Sequence, residues 1–229
     1  MKSHHFAPGR ALVLAAALIA LALPVATRAG AQKKETKVTK PRDYAHTLAV
    51  LKTSQGDVTV KFLAEKAPNH VKNFLDLSAA GFYDGTLFHR VVPGFMIQGG
   101  DPNTKKPETP ETRYGTGGNR DASGKPVNLR AEFNDTPHRR GVLSMARSSS
   151  PDSASSQFFI VVKDAPFLDR QYTAFGEVVS GMEAVDKIVS ESNVDPASAA
   201  RGEGKPGAPQ KLIKVQLVEE APAAAPAKN

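Results

Sequence analysis

The chain has 229 residues, of which 40% are hydrophobic and 23% are charged, so it can bury the core of one or two domains. It has no cysteine, which excludes a disulfide scaffold, a thiolate zinc site, an iron–sulfur cluster and a cysteine nucleophile. The net charge of +7 arises in the first 42 residues, because residues 43–229 carry 22 basic and 22 acidic side chains, and total charge therefore does not indicate a nucleic-acid partner.

The N-terminus has the pattern of an export signal. Two basic residues precede an unbroken apolar run, Ala11–Ala22, which is shorter than the roughly 20 residues that a membrane span needs. Ala29 and Ala31 then supply the small residues that a signal peptidase recognises. We therefore predict a signal peptide over residues 1–31 and an exported product, either in a bacterial periplasm or fully secreted, without stable membrane insertion. An uncleaved membrane anchor is the alternative.

Composition divides the rest of the chain into three parts. Residues 32–43 are polar and basic without apolar periodicity, which predicts a flexible linker. Residues 44–220 predict one folded domain without internal repeats. Residues 221–229 are rich in alanine and proline and predict a disordered tail.

The predicted domain opens with the pattern of a β-hairpin. Residues 47–53 and 57–63 flank Ser54-Gln55-Gly56, and the second run alternates apolar and polar residues like a half-buried strand. Pro68 is tolerated in a first helical turn, and the apolar spacing after it predicts a helix that ends at Gly81.

Six further short runs predict strands, and one run predicts a second helix over residues 182–189. Many short strands with only two helices favour a mainly β fold, either a closed antiparallel barrel or a sandwich. Two long segments, 101–128 and 190–210, are rich in proline, glycine and charge and predict functional or mobile loops. The six predicted strands are 86–92, 95–99, 141–146, 157–162, 173–179 and 211–218.

The chain lacks the sequence motifs of several enzyme classes. No Gly-x-Ser-x-Gly elbow, Walker loop, His-Glu-x-x-His motif or dinucleotide fingerprint occurs. Apart from His4-His5, the histidines form no pair at metal-ligand spacing, so we expect neither a metal nor an organic cofactor. Gly115–Gly118 predicts a tight turn rather than a phosphate loop, and Ser148–Ser156 predicts a polar loop rather than a nucleophile.

The stretch Phe88–Asp101, FHRVVPGFMIQGGD, is unusual because it places a permanent cation, Arg90, within a few residues of Phe95 and Met96. In a regular strand, Gln98 lies on the same face as Met96. Taken alone, an arginine between apolar residues most often makes a salt bridge at the rim of the core.

This stretch resembles the signature of the cyclophilins, the cyclosporin-binding family of peptidyl-prolyl cis–trans isomerases. Further blocks of the chain resemble the same family in order, and the resemblance spans residues 47–218. It implies the family's fold, a closed eight-stranded antiparallel β-barrel capped by two α-helices. The further blocks are GTGG at 115–118, LSMA at 143–146, SQFFI at 156–160, FLD at 167–169 and FGEVVSGM at 175–182.

The resemblance also implies roles for individual residues. Arg90 matches the family's catalytic arginine. For the apolar matches, ordinary core packing is the alternative. The other matches are Phe95, Met96, Phe159 and Leu168 as walls of the proline pocket, Gln98 and Gln157 as polar groups on the substrate backbone, Gly115, Ala146, Arg147 and Ser148 along the groove for residues before the proline, and Phe167 and Tyr172 beside the pocket.

Three of these residues depart from the family's eukaryotic pattern. Phe167 stands where those members usually have a tryptophan whose indole N–H helps to hold cyclosporin, so only weak binding of the drug is expected. Tyr172 stands in place of a histidine and can still close the pocket and offer a hydroxyl. Arg147 replaces an asparagine whose backbone is the important part. These substitutions resemble those of bacterial cyclophilins.

The sequence thus predicts a monomeric peptidyl-prolyl isomerase that assists the folding of exported proteins and binds proline-containing polypeptides. One alternative is a module on the same fold that grips proline segments without turnover, although the intact Arg90 favours the enzyme. A second alternative is a barrel for a small ligand. It is disfavoured because side chains normally fill the interior of an eight-stranded barrel.

Overall fold

The computed structural model describes Tyr44 and residues 46–219. The predicted signal peptide, basic linker and C-terminal tail therefore lie outside the described residues. Within the described part of the chain, no helix is both long enough and apolar enough to cross a membrane.

The first hairpin forms as its alternating pattern predicts. In β1, Thr47–Thr53, every second side chain is buried, and β2, Gly56–Phe62, pairs with it in antiparallel register from Ala49↔Val60 to Thr53↔Gly56. The turn between them needs Gly56 because its φ is 128°, a value that side-chain-bearing residues rarely adopt. Both strands thus direct one face into the core.

Nine strands form one antiparallel sheet in the order β3-β9-β1-β2-β8-β6-β7-β5-β4. The prediction of a mainly β fold with few helices is confirmed, but the closed eight-stranded barrel is not. The sheet curls into an open half-barrel whose edges are β3 and β4. The remaining strands are β3 Thr86–Leu87, β4 Arg90–Val92, β5 Met96–Gly99, β6 Val142–Met145, β7 Phe158–Val161, β8 Ala174–Ser180 and β9 Lys211–Glu219.

The ninth strand arises because the predicted strand over residues 86–92 is interrupted at Phe88 and His89. The amide of Phe88 donates to the carbonyl of Gln210, before β9 begins. The amide of Val91, on the outer edge of β4, donates to the carbonyl of Gly204 at 2.7 Å. A loop therefore supplies the hydrogen-bond acceptor at the outer edge of β4, and no strand of the described residues pairs there.

The described chain contains three α-helices, whereas two were predicted. The first two, α1 Pro68–Ala79 and α2 Met182–Glu191, lie where the apolar spacing indicates. Ala67 offers no side-chain cap to α1, and the carboxylate of Glu132 accepts from the amides of Asn69 and His70 instead. The third helix, α3 Pro196–Ala200, lies within the predicted loop 190–210 and was missed because it is only five residues long.

Alternation along the strands separates two apolar clusters. Ile97 of β5 and Phe158 of β7 belong to the main core, which packs under α1. Their neighbours Met96 and Phe159 point to the opposite face and join a smaller cluster with Leu168. This second cluster forms the floor of the site described next.

Candidate active site

Strand register brings Arg90, Gln98 and Phe159 into one row across three strands. Arg90 of β4 lies opposite Gln98 of β5, and Gln98 lies opposite Phe159 of β7. Directly paired residues in an antiparallel sheet point to the same face, and so do residues two apart in one strand. Met96 therefore shares this face with Gln98, as the sequence predicted.

An open pocket of about 400 Å³ lies on this face. Its apolar floor is made by Met96, Phe159 and Leu168, each no more than 5% exposed. Phe95 and Phe167 form the rim with their rings 5.4 Å apart, and Phe167 is 63% exposed. The residues lining it are Arg90, Phe95, Met96, Gln98, Ala146, Arg147, Phe159, Phe167, Leu168, Gln171 and Tyr172.

The guanidinium of Arg90 is held without an ion pair. Its Nε and Nη2 donate to the carbonyl of Gly202 at 3.1 and 2.8 Å, and its Nη1 donates to Oε1 of Gln98 at 3.2 Å. In the described part of the chain no carboxylate bonds to it. Burial lowers the pKa of Arg90, an effect that Tyr172 partly opposes. The hydrogen bonds to Gly202 and Gln98 therefore fix the orientation of the guanidinium, and no carboxylate neutralises its charge in the described residues.

A chain of amide hydrogen bonds continues from Arg90. Nε2 of Gln98 donates to Oε1 of Gln157 at 3.0 Å, and Nε2 of Gln157 donates to the carbonyls of Gly115 and Gly117 at 2.9 and 2.8 Å. Arginine can only donate and a carbonyl can only accept, so the two ends of the chain determine the orientation of both amides. Both side-chain N–H groups of Gln157 donate within the protein, whereas one side-chain N–H of Gln98 has no acceptor among the described residues.

A buried carboxylate organises the glycine-rich turn. Oδ2 of Asp101 accepts from the amides of Gly115 and Gly117 at 2.6 and 3.3 Å, and Oδ1 accepts from the amide of Asn103 at 2.8 Å. A Cβ at Gly117 would lie 2.0 Å from Oδ1 of Asp101, so only glycine fits. Because these amides already bind a carboxylate, the turn is not a phosphate loop.

This turn forms one wall of a second pocket, of about 270 Å³, that adjoins the first through Gln98, Ala146 and Arg147. The amide of Arg147 donates to no acceptor in the described chain. It is therefore available to a bound peptide. The predicted residues that line this pocket are Gln98, Gly115, Ala146, Arg147, Ser148 and Gln157. All thirteen predicted site residues thus line one or both of the adjoining pockets.

Comparison with known proteins identifies the family. Residues 48–216 match the family model described as cyclophilin type peptidyl-prolyl cis-trans isomerase. The chain belongs to the cyclophilins. A probable peptidyl-prolyl cis-trans isomerase of Brucella abortus is 40% identical over 210 residues, covering 91% of this chain and 95% of that protein. Peptidyl-prolyl cis-trans isomerase B of Escherichia coli is 43% identical over 146 residues, covering 59% of this chain and 80% of the relative.

Solved structures show the same relationship. A cyclophilin-type isomerase of Cryptosporidium parvum, crystallised in the presence of the dipeptide Ala-Pro, superposes with a TM-score of 0.62 at 31% identity. The match covers 76% of this chain and 99% of that one. The prediction that this chain is a peptidyl-prolyl cis–trans isomerase of the cyclophilin family is confirmed.

Two departures from the family's eukaryotic pattern lie against each other in this cyclophilin. The guanidinium carbon of Arg147 lies 4.5 Å from the centre of the Tyr172 ring, and that ring meets Phe159 edge-on at 5.8 Å. Arg147 also donates from Nε to the carbonyl of Gln171 at 3.1 Å. The arginine therefore packs along one wall of the pocket, and its length does not block the pocket.

Sequence reasoning missed several residues of the site. Gln171 lines the first pocket, and its side chain donates to the carbonyl of Phe167 at 2.8 Å. Its position between two matched residues, Leu168 and Tyr172, was the available signal. Gly202 had no signal, because it acts through its backbone carbonyl. The other missed residues, all lining the second pocket, are Thr116, Gly117, Ser153 and Ser155.

Behind the pocket, His138 connects Asp169 and Ser144 in the order of a hydrolase triad. Its Nδ1 lies 3.0 Å from Oδ1 of Asp169, and its Nε2 lies 3.0 Å from Oγ of Ser144. Ser144 is 0% exposed, so no substrate can reach its hydroxyl. The arrangement instead supports Phe159, whose ring lies 6.2 Å from the imidazole.

Buried histidines should make the stability of this cyclophilin depend on pH. Burial lowers the pKa of His70, His89 and His138, although Glu132, Asp101 and Asp169 respectively oppose the shift. Below about pH 6.5 the unfolded chain therefore binds protons that the folded chain does not, and the free energy of unfolding falls as the pH falls. We expect a lower urea midpoint at pH 5.5 than at pH 7.5. A midpoint at pH 5.5 that is equal or higher would contradict this expectation, and the interval from pH 7.5 to 8.5 serves as the control.

Proposed function

We propose that this isomerase twists Xaa–Pro bonds with the guanidinium of Arg90 and that it acts on proline-containing segments of exported polypeptides. One observation carries the mechanism. Arg90 borders the apolar pocket with a charge that no carboxylate neutralises in the described residues, and two of its nitrogens are held by one carbonyl. An isolated cation of this kind suits a reaction in which a lone pair must be stabilised.

The chemistry follows from the nature of the prolyl bond. Rotation is slow because the nitrogen lone pair is delocalised, which gives a barrier of about 18–20 kcal/mol. A twist of roughly 90° localises that lone pair on the proline nitrogen. A cation directed at the nitrogen stabilises the twisted state more than either planar isomer, which is what catalysis requires. Arginine suits the task because it stays charged and presents a planar fork of donors.

The pocket supplies the other half of the mechanism. Met96, Phe159 and Leu168 offer an apolar surface on which the proline ring can be fixed while the preceding residue rotates. Excluding water there also strengthens the field of Arg90 at the nitrogen. The Cryptosporidium relative crystallised with Ala-Pro supports proline-containing peptides as ligands of this site as well.

We assign the second pocket to residues that precede the proline. The free amide of Arg147 can donate to a substrate carbonyl, and the remaining N–H of Gln98 lies at the junction of the two pockets. Gln157 acts differently from the role that the resemblance implies. Because both of its N–H groups hold the 115–117 turn, it supports the groove and does not itself donate to the peptide.

The cellular role rests on the N-terminal sequence. A basic start, a short apolar run and a small-residue cleavage site support export to the periplasm, where newly translocated proteins contain prolyl bonds of both isomers. The balanced charge of residues 43–229 argues against a nucleic-acid partner.

The test is the isomerisation of a short Xaa-Pro peptide by the purified protein, together with the affinity of that peptide. The enzyme accelerates cis–trans exchange in proportion to its concentration. Peptide binding without acceleration would overturn the catalytic proposal and favour the binding module. Copurification of a buried apolar molecule, with no affinity for the peptide, would favour the small-ligand barrel.

Cyclosporin affinity should depend on Phe167. We expect Phe167→Trp to tighten cyclosporin binding about threefold to tenfold, the value of one hydrogen bond to the new indole N–H. Phe167 is 63% exposed, so the larger ring has room. Phe167→Leu, which adds no donor, is the control in a direct binding titration. Equal affinity for the tryptophan and leucine variants would refute the expectation.

A further inference from the structure

The segment 195–206 packs directly against Arg90, and we call it the arginine strap. It contains α3 and the turn that follows it. The carbonyl of Gly202 accepts from both Nε and Nη2 of Arg90, which fixes one whole edge of the guanidinium. Nη1 is held separately by Gln98. The hydrogen bonds to Gly202 and Gln98 therefore fix the directions in which the remaining N–H groups of the guanidinium point.

The geometry of a helix end makes this carbonyl available. Asp195 caps α3 by accepting from the amide of Ser198 at 2.8 Å. After the helix, the amide of Gly202 donates to Ala199 and that of Glu203 donates to Ser198, the pattern of a Schellman motif with Gly202 at φ 72°. The carbonyl of Gly202 lies beyond the last helical turn, so it is free to accept from a side chain.

A second glycine ties the strap to the strand that carries Arg90. The carbonyl of Gly204 accepts from the amide of Val91 at 2.7 Å. A Cβ at Gly204 would lie 2.5 Å from the carbonyl oxygen of Val91, which is a backbone atom that cannot move aside. Only glycine permits this approach. An exposed ion pair from Lys205 to Glu111 adds a further connection at 2.7 Å.

We propose that the arginine strap is a positioning element for Arg90, with the Gly202 carbonyl aligning the guanidinium and Gly204 holding the strap in place. A carboxylate in this position would align the group equally well but would cancel part of its charge. A backbone carbonyl aligns the guanidinium and leaves its full positive charge for the twisted bond. This inference rests on the proposed role of Arg90.

The test is Gly204→Ala in the full chain. The new methyl would lie 2.5 Å from the carbonyl oxygen of Val91 and 2.6 Å from Cγ2 of Val92, so it displaces the strap from β4. Val92 belongs to the second apolar cluster, but neither valine lines the pocket, so we expect kcat to fall about tenfold while the affinity for a proline peptide changes less than about twofold. Gly124→Ala is the matched control, since Gly124 also has a positive φ of 82° but has no atom within 4 Å of the added Cβ. An unchanged kcat in Gly204→Ala would overturn the proposal.

A double-mutant cycle with Arg90→Ala separates positioning from general damage. If the strap acts through Arg90, Gly204→Ala lowers kcat/KM in the parent protein but has little effect when Arg90 is absent. An equal factor in both backgrounds would refute the proposal. Failure of the catalytic role itself is distinguishable, because Arg90→Ala alone would then be active. Should Gly204→Ala not fold, Asp195→Ala loosens α3 from its other end and should lower kcat about twofold to threefold in the parent alone.

Discussion

Arg90→Ala is expected to lower kcat/KM for a prolyl peptide by about 10²–10³, the usual effect of removing a group that stabilises the transition state. The loss should appear in kcat, because the apolar floor that binds the proline ring is left intact. Arg90 forms no ion pair in the described chain, but its removal leaves the Gly202 carbonyl and Oε1 of Gln98 without their donor, so the free energy of unfolding should fall by about 1–3 kcal/mol while the protein stays folded. Peptide isomerisation and urea unfolding of the same preparations measure the two effects.

Two further variants show what feature of Arg90 matters. Arg90→Lys keeps a positive charge but loses the planar fork that binds Gly202 and Gln98 together, and it should recover only about a tenth of the activity. Arg140→Ala removes an exposed arginine paired with Asp186 and should leave kcat/KM unchanged. A rate for Arg90→Ala close to that of the parent would exclude the mechanism.

The fold was predictable where the side-chain pattern is local. Alternation along β1 and the apolar spacing of α1 and α2 give their positions to within two residues of the structure. The break at Phe88 and His89 was not predictable. It arises because Gly204, far along the chain, occupies the edge of β4, and the local sequence of a β-rich run carries no trace of such a partner.

The site divides in the same way. Most of the predicted pocket residues stand in the matched blocks, and Arg147, Ser148 and Tyr172 lie within three residues of one, so their grouping in two adjoining pockets could be expected from sequence. The groups that hold those side chains in place could not be predicted from sequence. Gly202 acts through a carbonyl and Asp101 acts on backbone amides, and neither contact leaves a residue-type signature. Asp101 and Gly202 belong to the long segments 101–128 and 190–210. These two segments therefore support the site, a role that their composition alone did not indicate.

Asp101 is the support whose loss should cost the most stability. It is 0% exposed and accepts from the amides of Asn103, Gly115 and Gly117, which connects the start of the 101–128 segment to the wall of the second pocket. Asp101→Ala leaves those amides without a partner and should lower the free energy of unfolding by about 3 kcal/mol. It should also raise KM about tenfold for peptides with several residues before the proline, because a displaced turn no longer shapes their groove.

Asp121→Ala is the matched control for this prediction. Asp121 also accepts several hydrogen bonds through one carboxylate, from Ser123 and Lys125, but it is exposed, so water can replace the lost acceptor with little effect on stability. Asp101→Asn should fall between the parent and the alanine variant, because its amide keeps one acceptor but turns a donor toward a backbone N–H. Equal urea midpoints for Asp101→Ala and Asp121→Ala would show that the buried carboxylate does not organise the turn. A loss of stability with an unchanged KM would show that the groove keeps its shape without Asp101.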